Sequence, residues 1–103
     1  MKKLFFVAVL AAFIAMGSLS ASAGDAAKGQ NVYQANCIAC HNPDPSQDGP
    51  VGPAVKPSSA DLVKTRVLEG KYPAGYKPKR DTVMMVPMPH LKSNIDDLAE
   101  YLK

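Results

Sequence analysis

Of the residue types that most often bind metals or do thiol chemistry, this 103-residue chain has two cysteines and two histidines. Two cysteines close at most one disulfide, so a multiply bridged scaffold is excluded. No segment carries the alternating apolar pattern of a β-strand, and no segment repeats. No block of basic residues marks a nucleic-acid surface. From Gly24 onward ten Lys and Arg stand against nine Asp and Glu, so charge assigns no polarity to any partner. A phosphate-binding glycine loop, a catalytic base and an activated nucleophile are all missing. After the first two dozen residues no apolar run approaches the roughly 20 residues that span a bilayer.

What is there begins with an export signal. Lys2 and Lys3 precede an uncharged apolar run from Leu4 to Met16, and Ser20-Ala21-Ser22-Ala23 supplies small residues. Ala21-Ser22-Ala23 fits the pattern read by signal peptidase. Residues 1–23 therefore read as a signal peptide, with residues 24–103 as one domain and the periplasm as its destination. A retained signal would make the chain membrane-anchored, but the apolar run is short for a spanning helix. A domain of about 80 residues has a marginal core and usually needs a staple such as a disulfide, a metal or a cofactor.

The fold class expected is all-α. Residues 25–37 read as a first helix capped by Asp25, with Ala26, Gly29, Tyr33, Asn36 and Cys37 near one face. Pro43, Pro45, Pro50, Pro53 and Pro57, with Gly49 and Gly52, exclude long helix or strand interiors from residues 42–57. Residues 59–69 read as a second helix, capped by Ser58 or Ser59, with Leu62, Val63, Arg66 and Val67 at helical spacing. Gly70 supplies its stop. Residues 71–92, with Pro73, Gly75, Pro78, Pro87 and Pro89, read as a second irregular stretch. In it Lys77, Lys79 and Arg80 form a local basic spot, expected on a solvated loop. Ser93 opens the last helix, paired with Asp96 as a variant capping box. Ile95, Leu98, Ala99 and Leu102 make that helix's apolar face, with Tyr101 beside them. Loops this long in a small domain wrap something or carry function.

Cys37-Ile38-Ala39-Cys40-His41 is the c-type haem attachment signature. Two thiols three positions apart can each add to a haem vinyl group. The histidine that follows is thereby held beneath the iron, where its imidazole can coordinate. Its other ring nitrogen then needs an acceptor. Three other readings of the cysteines compete. A thioredoxin-like dithiol wants alternating strands and helices, which are missing here. A zinc site wants further ligands, and His90 is the one other histidine. A disulfide across so short a loop stabilises little.

With these residues in view, the chain resembles the small monohaem cytochromes c of class I, and the resemblance covers residues 24–103. The family packs its first helix across its last through a glycine and aromatics; Gly29 and Tyr33 match one side, Leu98 and Tyr101 the other. The resemblance implies one haem c bound through Cys37 and Cys40, with His41 as an axial ligand. Gly52-Pro53 is similar to the family's Gly-Pro, whose proline carbonyl accepts a hydrogen bond from the haem-binding histidine. That gives Pro53 the role of holding His41.

The second axial ligand has four candidates on the second loop: Met84, Met85, Met88 and His90. The resemblance picks Met88, because Met88-Pro89 matches the family's methionine-proline segment. A thioether favours reduced iron and raises the potential, whereas histidine would lower it. Pocket walls are expected from Val51, Val55, Leu62, Val67, Leu68, Val83, Val86, Leu91 and Leu98, and propionate contacts from Tyr72, Tyr76 and Arg80. The function implied is one-electron transfer, with no catalysis and no small-molecule substrate. The chain would be a monomer meeting a redox donor and acceptor through transient contacts. The rivals are a haem protein with an open or labile distal site, suited to ligand sensing or peroxidase-like chemistry, and a haem-free thiol-disulfide protein.

Overall fold

The computed structural model of the chain describes residues 24–103, so the signal-peptide reading of residues 1–23 lies outside the described residues. Helix α1 spans Ala26–Asn36. Asp25 starts it: its carboxylate accepts from the amides of Ala27 at 2.9 Å and Lys28 at 3.2 Å. Two otherwise unpaired donors are thereby satisfied, and a negative charge sits at the positive end of the helix. Helix α2 spans Ala60–Lys64, and the Ser59 hydroxyl accepts from the Leu62 amide at 3.1 Å. It continues into a π-helical turn, Thr65–Glu69, which ends where Gly70 takes the left-handed conformation at φ 68°. Among the described residues there is no strand, and no helix is long and apolar enough to cross a membrane.

The last helix differs from the sequence expectation at its start. Pro89–Asn94 forms a 3-10 helix that runs straight into α3, Ile95–Leu102. Proline fits the first position of a helix because its missing N–H would be unpaired there anyway. The Ile95 amide donates to the Lys92 carbonyl of that preceding turn. Ser93 therefore has no helix start to cap, and its hydroxyl bonds the Asn94 side chain instead. Asp96 pairs with Lys64 at 3.0 Å, tying α3 to α2 across an exposed surface.

The buried core consists of Tyr33 from α1, Val63 and Val67 from α2 and its π turn, Leu91, and the four α3 residues Ile95, Leu98, Ala99 and Leu102. The apolar face expected for α3 is thus the buried one. Helix α1 crosses α3 at Gly29, where a Cβ would run into the Asp97 carbonyl and crowd the Tyr101 side chain. Beside that contact the Tyr33 and Tyr101 rings pack at 5.7 Å between centroids, tilted 57°. The Asp97 carboxylate accepts from the Asp25 amide at 2.8 Å and pins the start of α1 to α3.

Gly29→Ala tests this crossing. On an open helix the change would gain about 1 kcal/mol of helix propensity. Here it lowers stability by roughly 2 kcal/mol, because two packed backbones must separate. Denaturant unfolding of the purified protein measures the sign, and a stabilised variant would refute the close approach.

Candidate cofactor site

The end of α1 shapes the attachment motif. The Cys37 amide still donates to the Tyr33 carbonyl at 2.9 Å, and the Cys37 carbonyl accepts from Cys40 at 3.3 Å and His41 at 2.9 Å. The chain therefore coils tightly after the helix and gathers Cys37, Cys40 and His41 at one place. The Cys40 carbonyl in turn accepts from the amides of Val51 at 3.2 Å and Gly52 at 2.9 Å. These bonds fold the proline-rich loop back onto the motif. Gly52 lies flat against the imidazole of His41, where any Cβ would collide with the ring.

His41 Nδ1 lies 2.9 Å from the Pro53 carbonyl oxygen. A carbonyl only accepts, so Nδ1 carries the proton and donates. In the neutral ring the lone pair then belongs to Nε2, which is the coordinating form of histidine. A second restraint acts on the next residue: the Tyr33 hydroxyl donates to the Asn42 carbonyl at 2.5 Å. Burial, with smaller contributions from Cys37, Tyr101 and Asp44, pushes the Tyr33 phenol up to about 12. Burial alone pushes the Cys37 thiol up to about 11. No disulfide joins Cys37 to Cys40, and Cys40 is the more exposed of the two.

These groups border a cavity of about 520 Å3. Cys37, Cys40, His41, Pro53 and Met88 all line it. Met84 and Met85 line it as well, whereas His90 is exposed on the 3-10 helix and does not. Of the expected walls, Val51, Val55, Leu62, Val67, Val86 and Leu98 are present. Leu91 is instead buried in the helical core, and Leu68 packs against that core. Val83 is 96% exposed and is no wall at all. Hydrophobicity in an irregular segment does not specify which way a side chain turns. Val63 and Leu102 are lining residues that the sequence reading placed only on helix faces. Their periodicity was visible, but the hollow beneath them was not.

Tyr72, Tyr76 and Arg80, the expected propionate contacts, line the cavity, as does Lys79. Lys79 is exposed, as read for a solvated loop, but Lys79 and Arg80 also reach across to backbone carbonyls of the attachment loop. Lys79 donates to Ala54 at 3.0 Å and Arg80 to Val51 at 2.6 Å. Arg66 lies over the Tyr72 ring at 4.1 Å and donates to the Gly70 carbonyl at 2.7 Å. Tyr72 and Tyr76 stack at 5.5 Å with an interplanar angle of 11°.

The site fits a covalently held haem. A largely apolar cavity has both thiols on its wall, a histidine whose Nε2 is left free to coordinate by the Nδ1 bond to Pro53, and thioethers from the second loop. Among the described residues no group of three or more His, Cys, Asp or Glu is placed to hold a metal ion unaided, which disfavours the zinc reading. A family model described as Cytochrome c matches residues 26–103. No curated protein and no solved structure matches the chain.

Tyr33→Phe removes the bond to Asn42 and lowers stability by about 1 kcal/mol near neutral pH. The raised phenol sets the pH dependence. The buried neutral form is favoured, so its contribution is complete below pH 10 and is lost as pH rises from about 10 to about 12. The stability gap between wild type and Tyr33→Phe therefore narrows across that window. Urea unfolding at stepped pH reads it, and a gap that widens would contradict the buried neutral phenol.

Proposed function

The chain belongs to the cytochrome c family, and we propose that it is a monohaem one-electron carrier with His41 and Met88 as its axial ligands. The observation that carries this reading is the convergence on one cavity of the Cys37 and Cys40 thiols, the His41 imidazole and the Met88 side chain. Haem supplies the exchange of a single electron at iron, and the chain supplies attachment, orientation and a dry surround.

Each residue has a distinct task. Cys37 and Cys40 would hold the haem through two thioether bonds, each S–H adding across a vinyl group. Pro53 keeps the His41 proton on Nδ1, and Gly52 keeps the ring from turning. Leu62, Val63, Val67 and Leu98 exclude water from the cavity, which limits reorganisation when charge changes.

Met88 is favoured over its neighbours by its backbone. Its amide donates to the Val67 carbonyl at 2.6 Å, and its own carbonyl accepts from Leu91 at 3.0 Å. The residue is thus fixed on both sides at the entry to the 3-10 helix. Among the described residues Met84 has only a local bond to Thr82, and it is 68% exposed. Met85 packs against the core without a comparable backbone anchor. Donor and acceptor are redox proteins that meet the carrier transiently, and the destination after export is the periplasm.

The deciding experiment denatures the exported protein and stains it for haem. Colour that stays with the polypeptide is expected, and it disappears in the Cys37→Ala, Cys40→Ala double variant. A colourless wild type with free or bridged thiols would overturn the proposal. Met88→Ala is expected to lose the weak long-wavelength band of methionine-ligated ferric haem and to lower the reduction potential. The same changes in Met85→Ala, with Met88→Ala unaffected, would move the ligand to Met85.

Haem attachment is also expected to hold the domain together, since its core is thin for about 80 residues and encloses a cavity. The double cysteine variant loses most of its helical circular dichroism and its cooperative melt. A haem-free variant that melts like the wild type would show that the helices suffice.

A further inference from the structure

The distal loop, residues 71–88, carries all three cavity-lining methionines, yet little holds it. Among the described residues, the hydrogen bonds that tie residues 77–87 to more distant parts of the chain come from Lys79 and Arg80. Asp81, Val83, Met84, Val86 and Pro87 are exposed. The nearest firm attachment beyond them is the Met88 amide on Val67.

The place where Lys79 and Arg80 land is specific. The Arg80 guanidinium donates to Val51 at 2.6 Å and, through two nitrogens at 3.4 Å each, to Gly49. Lys79 donates to Ala54 at 3.0 Å. These acceptors belong to the segment that holds the histidine. The Val51 and Gly52 amides clasp the Cys40 carbonyl, the Gly49 amide donates to the Gly52 carbonyl, and Pro53 accepts from His41. Asp48 braces the same segment by accepting from the Ala54 amide at 2.8 Å, and it lies 3.9 Å from Arg80. One unbroken set of bonds therefore runs from the methionine loop to the Cys37–His41 motif.

We propose that Arg80, seconded by Lys79, is a positioning residue that latches the methionine loop to the histidine loop and so holds the two sides of the cavity at a fixed separation. The guanidinium is suited to this because its planar fork serves two carbonyls at once. A lysine at the same place would hold one carbonyl loosely. The consequence for redox function, which rests on the reading of Met88 as an axial ligand, is that the latch governs how often that ligand swings away.

The test uses the exported full chain with its haem, as wild type, Arg80→Met, Arg80→Lys and Lys79→Met. The control is Ile95→Ala, a change in the buried core at a residue that does not line the cavity. Two quantities are read: amide hydrogen exchange of residues 81–88, and the rate at which cyanide binds the ferric protein, which requires the distal ligand to leave. Losing a charge-assisted bond is expected to raise both about tenfold in Arg80→Met. Arg80→Lys and Lys79→Met fall between it and the wild type. Ile95→Ala lowers the denaturant midpoint without raising either rate to that extent. In the haem-loaded protein, absence of either increase, or an equal increase in Ile95→Ala, overturns the latch. If the wild type carries no covalent haem, the electron-carrier reading fails instead, and exchange in wild type and Arg80→Met still decides the latch. Equally fast exchange in those two would overturn it as well.

Discussion

Where α1 crosses α3, Gly29 lets one backbone rest against the Asp97 carbonyl of the other. Both ends of the site are hung from that contact. Helix α1 ends at the Cys37 turn, so the crossing fixes where the thiols and His41 emerge. Helix α3 is preceded without a break by the 3-10 helix that Met88 enters, so the same crossing fixes where the methionine loop must arrive. A side chain at residue 29 would disturb two distant segments by moving one axis.

The two loops solve different problems. The proline-rich loop, residues 42–57, builds its own support: Asn42 accepts from Asp44, Asp44 from Ser46, and Asp48 from Ala54. The hydroxyl and amide of Ser46 hold the exposed Asp44 carboxyl below its usual range. Residues 71–88 have few such bonds and depend on their borders. The histidine side of the cavity thus rests on its own internal bonds, and the methionine side on its tethers.

Much of this was legible in the sequence where a local rule had one outcome. The Cys-x-x-Cys-His spacing, the Asp25 and Ser59 caps, the Gly70 stop and the α3 apolar face each reduce to contacts within a few residues. The rest depended on distance. Proline at residue 89 reads equally as loop punctuation and as the first residue of a helix, and only the chain that follows decides. The burial of Leu91 and the exposure of Val83 were not readable either, because an irregular segment has no period to assign faces. The reach of Lys79 and Arg80 leaves no trace in local composition, since their partners are backbone carbonyls more than two dozen residues away.

The short range of the bonds around the attachment motif bears on the order in which the domain takes shape. From Cys37 to Gly52 the turns are closed by partners no more than a dozen residues apart. The α1–α3 crossing joins residues that are nearly seventy positions apart. Contacts close in sequence form quickly, and distant ones wait for the chain to come round. A newly made chain can thus present its two thiols in a shaped loop while its last helix is still unplaced. Whatever reacts with those thiols would then meet a folded handle on an otherwise open chain, and closure of the helices would come last.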